Sequence, residues 1–200
     1  MLLALAAAES PSRYKLMSSP ASASGDPFAL LGLPRRFRLR REEIESAHLQ
    51  ASLVWHPDRF ALRPNQERIS AEDKMATINA AYAILKDPLE RALALLASEG
   101  FSMTEGTDTS SSPEFLMAMM ELKEEAANAM SADDPQQIKN ISTTLSTLEQ
   151  QEVTEAETNF DSIAQEPQRR AELLEAARSH LQRAAYYRKT RQDLERPKTR

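Results

Sequence analysis

The chain has 200 residues, enough for one ordinary domain or two small ones, and a net charge of −5. It has no cysteine, which excludes disulfides, thiolate metal sites and a cysteine nucleophile, and its three histidines, His48, His56 and His180, are too scattered for an evident metal cluster. Four ungrouped glycines exclude a glycine-rich phosphate loop, and the abundance of Ala, Leu, Glu, Gln and Arg favours helix throughout.

The charge is unevenly spread. Residues 99–166 hold 15 acidic and 2 basic side chains, residues 35–41 hold five arginines, and the chain after Pro167 is basic again. This distribution suits separate contact surfaces, and not a nucleic-acid binder with one basic face or a polybasic membrane anchor. No apolar run approaches the ~20 residues of a membrane span. The opening M-L-L-A-L-A-A-A-E lacks a basic region and soon meets an acid. Residues 1–25 are therefore expected to be a disordered extension, not a targeting peptide, with Met17 an alternative start and the protein cytoplasmic.

Order is expected from Asp26 and Pro27, a capping residue followed by a helix-opening proline, through the apolar turn of Phe28, Leu30 and Leu31 to Gly32. A second helix is predicted over 41–55, with Glu42 and Glu43 in its first turn and Ile44, Ala47, Ala51 and Val54 on one face. Pro57 forbids its continuation. A third helix should start near Gln66 with Ile69, Met75, Ile78, Tyr82 and Leu85 in a stripe, and Asp87-Pro88 separates it from a fourth, which ends at Gly100. Leu93 and Leu96 on that fourth segment are expected to cement two domains together. Residues 99–113 read as a Ser/Thr/Gly-rich linker. Three long amphipathic stretches follow, about 113–130, 135–164 and 167–196, and their short connections imply an antiparallel bundle. A tail, 197–200, closes the chain.

The stretch W-H-P-D-R at 55–59 breaks the second helix. His56 and Asp58 could be a general base with its orienter, but no serine here sits in a recognisable nucleophile motif, and a metal site lacks partner ligands. A plain helix terminator with two solvated polar residues is the alternative. His48 and His180 read as surface residues.

Context makes the stretch specific. A short helix, a helix closed by an aromatic, H-P-D, a loop and a long helix ending Tyr-x-x-Leu together resemble the J domain of DnaJ-type cochaperones. P-F-A-L-L-G-L-P at 27–34, W-H-P-D-R-F at 55–60, I-N-A-A-Y-A-I-L-K-D-P-L-E-R-A at 78–92 and F-L-M-A-M-M-E-L-K-E-E at 115–125 follow in order. That series resembles the HscB family, cochaperones of iron–sulfur cluster assembly, over about residues 26–195.

The resemblance implies an all-α fold: a J domain over 26–98, a helical hairpin with the H-P-D loop, then an antiparallel three-helix domain over 114–196. It implies a non-enzymatic protein that stimulates a DnaK-type ATPase chaperone (HscA-like) and delivers an iron–sulfur scaffold protein (IscU-like) to it, with no metal or cofactor of its own. A general J protein for unfolded clients is the alternative. A hydrolase using His56 and Asp58 stands further behind. Chaperone contact falls to His56, Pro57, Asp58 and Arg59. The second helix departs from the family by carrying no Lys or Arg between Glu42 and Trp55. Arg40 and Arg41, at its opening, are expected to supply the missing positive charge. The family's L-M-x-x-L-E-x-x-E scaffold-binding pattern maps to Leu116, Met117, Met120, Glu121 and Glu124, with Tyr186 or Tyr187 as the completing aromatic. Met117, Met119 and Met120 cannot all face inward, and flexible methionine suits an adaptable binding face.

Overall fold

The fold was analysed in a computed structural model that describes residues 25–101 and 112–196. The expected N-terminal extension, most of the linker and the C-terminal tail fall on residues 1–24, 102–111 and 197–200, outside the described residues. Among the described residues every regular element is helical.

Asp26 accepts a hydrogen bond from the Phe28 amide at 3.0 Å, and Pro27 opens the one-turn helix α1 (Pro27–Leu30). Phe28 is fully buried, and Gly32 turns the chain with a φ of 65°, where a Cβ would be strained. Helix α2 (Arg41–Trp55) is opened by Glu43, whose carboxylate reaches back to accept from the Arg40 amide at 2.7 Å. Its buried face is Ile44, with Ala47, Ala51 and Trp55 packed on the same core. Val54, expected on that face, is exposed. At about 100° per residue, the tenth position after Ile44 lies about 80° off the core direction, whereas the eleventh, Trp55, returns to within about 20°.

A 3₁₀ turn (Pro57–Phe60) leads to α3 (Asn65–Lys86), which packs antiparallel to α2. Ile78, Ala81 and Leu85 are buried as the stripe requires, but Ile69 is exposed and Ala71 takes the core position near the helix start. Ile69 precedes Ile78 by nine residues, about half a turn out of phase. Asp87 accepts from the Glu90 amide at 3.1 Å and so starts α4 (Pro88–Ser98) directly. Arg91 of α4 is buried, donates to the terminal carbonyl of Leu85 at 2.7 Å and stacks over Phe37 at 5.0 Å. One guanidinium thus ties α3, α4 and the arginine stretch together, and burial pulls its pKa down.

Helix α5 (Pro113–Ser131) starts on Ser112, whose hydroxyl accepts from the Phe115 amide. Asp134 accepts from two amides at 3.0 Å and opens α6 (Pro135–Gln165). A 3₁₀ turn at Pro167–Arg169 reverses the chain into α7 (Arg170–Glu195). The spacing of apolar residues along α6 and α7 buries Ile141, Leu145, Val153 and Ala156 against Leu174, Ala177, Leu181, Ala184 and Leu194.

Helix α6 is about 46 Å long, too long for α5 to cover. Helix α5 packs on only one end of the α6–α7 hairpin, where Met119, Ala126 and Ala129 meet Ile141, Leu145, Tyr187 and Leu194. The other end belongs to the N-terminal domain. Val153, Ala156, Leu174, Ala177 and Leu181 share one core with Phe28, Leu85, Leu89 and Leu96. Phe37 stacks on Phe160 across this seam at 6.4 Å. Ion pairs rim it: Arg38 with Glu157 at 2.7 Å and Asp161 at 2.9 Å, and Arg170 with Glu99. Leu96 is wholly buried at the seam and Leu93 partly so.

Arg188 is the polar centre of the seam. It bonds Glu149 of α6 at 2.6 Å, Asp87 at 2.9 Å and Glu90 of α4 at 3.3 Å. Burial pulls its pKa down, but its hydrogen bonds to Asp87 and Glu149 more than offset this and leave it raised. Burial pushes the neighbouring Glu90 up, against the pull of Arg188.

The two histidines expected at the surface are instead engaged. His48 stacks on Tyr82 at 4.3 Å and bonds Asn79 at 2.9 Å, while His180 bonds Glu152 at 2.6 Å beside Arg183. Both are half-buried because α2 meets α3, and α6 meets α7, along the sides of the helices as well as the core face.

Candidate functional site

The first candidate surface is the turn at the α2–α3 tip. Pro57 has no amide hydrogen, so α2 ends at Trp55 and His56 takes an extended conformation. The Asp58 amide donates to His56 Nδ1 at 3.3 Å. With Nδ1 engaged by the turn, Nε2 is the ring nitrogen left to meet an outside partner. The carboxylate of Asp58 stands 3.5 Å from the same ring. Arg59 reaches back to the Leu53 carbonyl at 2.6 Å, one of the acceptors that the end of α2 leaves free. Trp55 and Phe60 lie parallel at 6.0 Å and brace the turn from behind.

The His56 and Asp58 side chains are 55% and 91% exposed. They stand in solvent, not in the water-excluded setting that gives catalytic electrostatics its strength. The arrangement is a stiff polar knuckle, which lowers the ordering cost of binding.

Arg40 and Arg41 are not beside it. They lie at the opposite end of α2, about 21 Å away along its axis. Arg41 pairs with Glu45 at 2.7 Å and Arg40 sits at the cap with Glu43. Arg36 bonds Glu43 and Arg35 bonds Asp26, so much of the arginine stretch is spent on neighbouring carboxylates. What flanks the knuckle on α2 is apolar. Leu49 and Leu53, one turn apart on its outer face, are each 60% exposed. Sequence inspection does not single them out, although two leucines opposite the Ile44–Ala51 face are a readable signal.

The second candidate surface is on α5. Leu116, Met117 and Met120 are 50%, 63% and 71% exposed, and Glu121 and Glu124 are exposed beside them. Met119 is the one of the three methionines turned inward, at 4%. Tyr186 of α7 is exposed and Tyr187 is buried, which decides between the two aromatics. Phe115 contacts both rings edge-on, at 6.1 Å and 5.7 Å, so α5 and α7 are keyed together just where the patch lies. Lys123 stands over the Tyr186 ring at 5.6 Å. Lys123 escapes a search for the binding pattern, yet it lies seven residues from Leu116, two turns along the same face. The patch is therefore apolar at its centre, with carboxylates on one flank and a lysine on the other.

Among the described residues, no group of three or more His, Asp or Glu could hold a metal ion, and no helix is long and apolar enough to cross a membrane.

Comparison with known proteins matches two family models to the chain. Residues 26–93 match the DnaJ domain, and residues 111–195 match the HSCB C-terminal oligomerisation domain. Co-chaperone protein HscB homologs of Vibrio atlanticus and Vibrio campbellii are each 38% identical over 109 residues. That alignment takes in 54% of this chain and 64% of the relatives' own length. The solved structure of chaperone HscB from Vibrio cholerae superposes with a TM-score of 0.63 at 30% identity, over 85% of this chain and 95% of that one. The crystal structure of human co-chaperone protein HscB has the same fold, with a TM-score of 0.71 at 24% identity over 86% of this chain and 82% of that one. With both domains matched in order, and a solved relative covered almost end to end, the chain belongs to the HscB family of co-chaperone proteins.

Proposed function

We propose that the protein is a cochaperone of iron–sulfur cluster assembly. The 56–59 knuckle docks on a DnaK-type ATPase, HscA-like, and stimulates ATP hydrolysis. The α5 face, Leu116, Met117, Met120, Glu121 and Glu124 with Tyr186, binds an IscU-like scaffold and presents it to the chaperone. Cluster transfer from scaffold to acceptor is thereby promoted. The cytoplasm is the location that goes with this reading.

One observation carries it. A single chain offers two separate exposed surfaces of opposite character, a polar knuckle and an apolar patch with an acidic rim, and its two domains share one core. Such a body suits holding two partners at a set separation. Within the knuckle, Asp58 suits an Arg or Lys of the chaperone, and Leu49 and Leu53 extend the contact along α2 with apolar area. Arg40 and Arg41, at the far end of α2, steer the encounter and take little part in the bound contact.

The test is the steady-state ATPase rate of an HscA-type chaperone with this protein, with and without an IscU-type scaffold. Stimulation that rises synergistically with scaffold supports the reading. Stimulation indifferent to scaffold but increased by an unfolded client would replace it with a general J protein.

A further inference from the structure

The α5 face carries a chemical liability that its proposed role does not require. Among the described residues, the exposed methionines are Met117 and Met120, and both stand on that face. Met119 between them is buried, and Met75 and Met130 are half-buried. The chain has no cysteine, so it has no thiolate to intercept an oxidant before these thioethers. Exposure decides how fast a thioether meets an oxidant in solution. Among the described residues, those most open to oxidation are therefore the two at the centre of the patch.

We propose that Met117 and Met120 are an oxidation site that switches off scaffold docking. The oxidant is a hydroperoxide. A sulfur lone pair attacks one peroxide oxygen, the O–O bond breaks as the S–O bond forms, and the other oxygen leaves with a proton as water or an alcohol. Sulfur loses two electrons and the peroxide gains them. The product is a sulfoxide, polar and chiral, where a flexible apolar side chain had been. On docking, its oxygen must shed water beside Leu116 and the partner's apolar surface, at a cost the thioether did not have. The knuckle at residues 56–59 has neither methionine nor cysteine, so its own contact is untouched. Oxidation thus separates the two docking functions: the chaperone is still met, but the scaffold is no longer delivered. Reduction of the sulfoxides by methionine sulfoxide reductases reverses the change.

This proposal rests on the α5 face being the scaffold-binding surface, and the experiment keeps the two claims apart. The full-length chain is treated with hydrogen peroxide, and oxygen addition at each methionine is read by peptide mass spectrometry. Affinity for the IscU-type scaffold is then measured by calorimetry before treatment, after it, and after methionine sulfoxide reductases A and B. Sulfoxide is expected at Met117 and Met120 well before Met119. Affinity should fall about tenfold or more and return with the reductases, while stimulation of the chaperone in the absence of scaffold stays unchanged. A Met117→Leu/Met120→Leu variant, whatever its starting affinity for the scaffold, should lose none of it on peroxide treatment. Undiminished binding by chain oxidised at both sites overturns the proposal, as does an equal loss in the leucine variant. If the untreated chain binds no scaffold, the α5 reading itself has failed and the switch falls with it.

Discussion

The knuckle at the α2–α3 tip and the patch on α5 are both exposed, but they are built in different ways. The knuckle is local. Pro57 stops the helix, Asp58 and His56 bond each other within three residues, and Arg59 ties the turn to the carbonyl of Leu53. Its shape is written in backbone restriction and needs no distant partner. The patch is assembled. Its apolar centre comes from successive turns of one face of α5, and its tyrosine from a helix about 70 residues on. A local site fails when its own residues change, whereas an assembled one also fails when the packing beneath it shifts.

The sharpest test of that contrast is His56→Gln. Stimulation of the chaperone is expected to fall at least tenfold, while stability moves within about 0.5 kcal/mol because the side chain is exposed. Calorimetry against the scaffold should detect no change. A drop in scaffold affinity would mean that the two surfaces are not separate.

The converse variant, Leu116→Ala/Met120→Ala, should weaken scaffold binding by roughly ten- to a hundredfold, the scale of a small apolar hot spot. Basal stimulation of the chaperone should persist and only the synergy with scaffold be lost.

A third variant strikes the seam that spaces the two surfaces. Arg188→Met removes the partner of Asp87, Glu90 and Glu149 and should cost about 1–3 kcal/mol in urea unfolding. Burial already raises the Glu90 carboxyl, and loss of the guanidinium raises it further. A carboxyl whose folded pKa exceeds its unfolded value makes the folded state take up protons first. Its destabilising contribution grows as pH rises through that window. The deficit of the variant should therefore be larger at about pH 7.5 than at about pH 5. A deficit that grows on acidification would show that Glu90 is held below its unfolded value.

The smaller effects concern the reach of the knuckle along α2. Leu49→Ser/Leu53→Ser is expected to lower apparent affinity for the chaperone several-fold, with little dependence on salt, as apolar contact requires. Arg40→Ala/Arg41→Ala should cost about twofold at low salt and nothing at high salt, because a steering charge is screened away. A reversal of these two outcomes, read in the same titrations, would move the docking surface to the arginine end of the helix.

Much of this protein was legible from residue order. Proline and aspartate at Asp26-Pro27, Asp87-Pro88 and Asp134-Pro135 mark helix starts because a carboxylate caps free amides and proline has none to lose. The knuckle was equally readable, since its parts are adjacent. That the three neighbouring methionines of α5 cannot all face inward followed from helical phase alone, whereas the inward turn of Met119 did not. Ile69 and Val54 show where phase read by eye fails: an apolar residue half a turn out of register is exposed however well it suits a core.

Tertiary structure decided the rest. Only the packing of α5 and α6 on α7 makes Tyr187 the buried ring, in one core with Met119, Ile141 and Leu194, and leaves Tyr186 exposed, because adjacent residues on a helix point about 100° apart. The contact between domains was expected of Leu93 and Leu96, but only folding shows that it is one core shared with Val153, Ala156, Leu174, Ala177 and Leu181 at the far end of the hairpin. And only folding brings Arg188 to Asp87, Glu90 and Glu149, carboxylates up to 101 residues away in the chain. Helix phase and capping are local and can be read in order, while long-range ion pairs and shared cores depend on which faces finally meet.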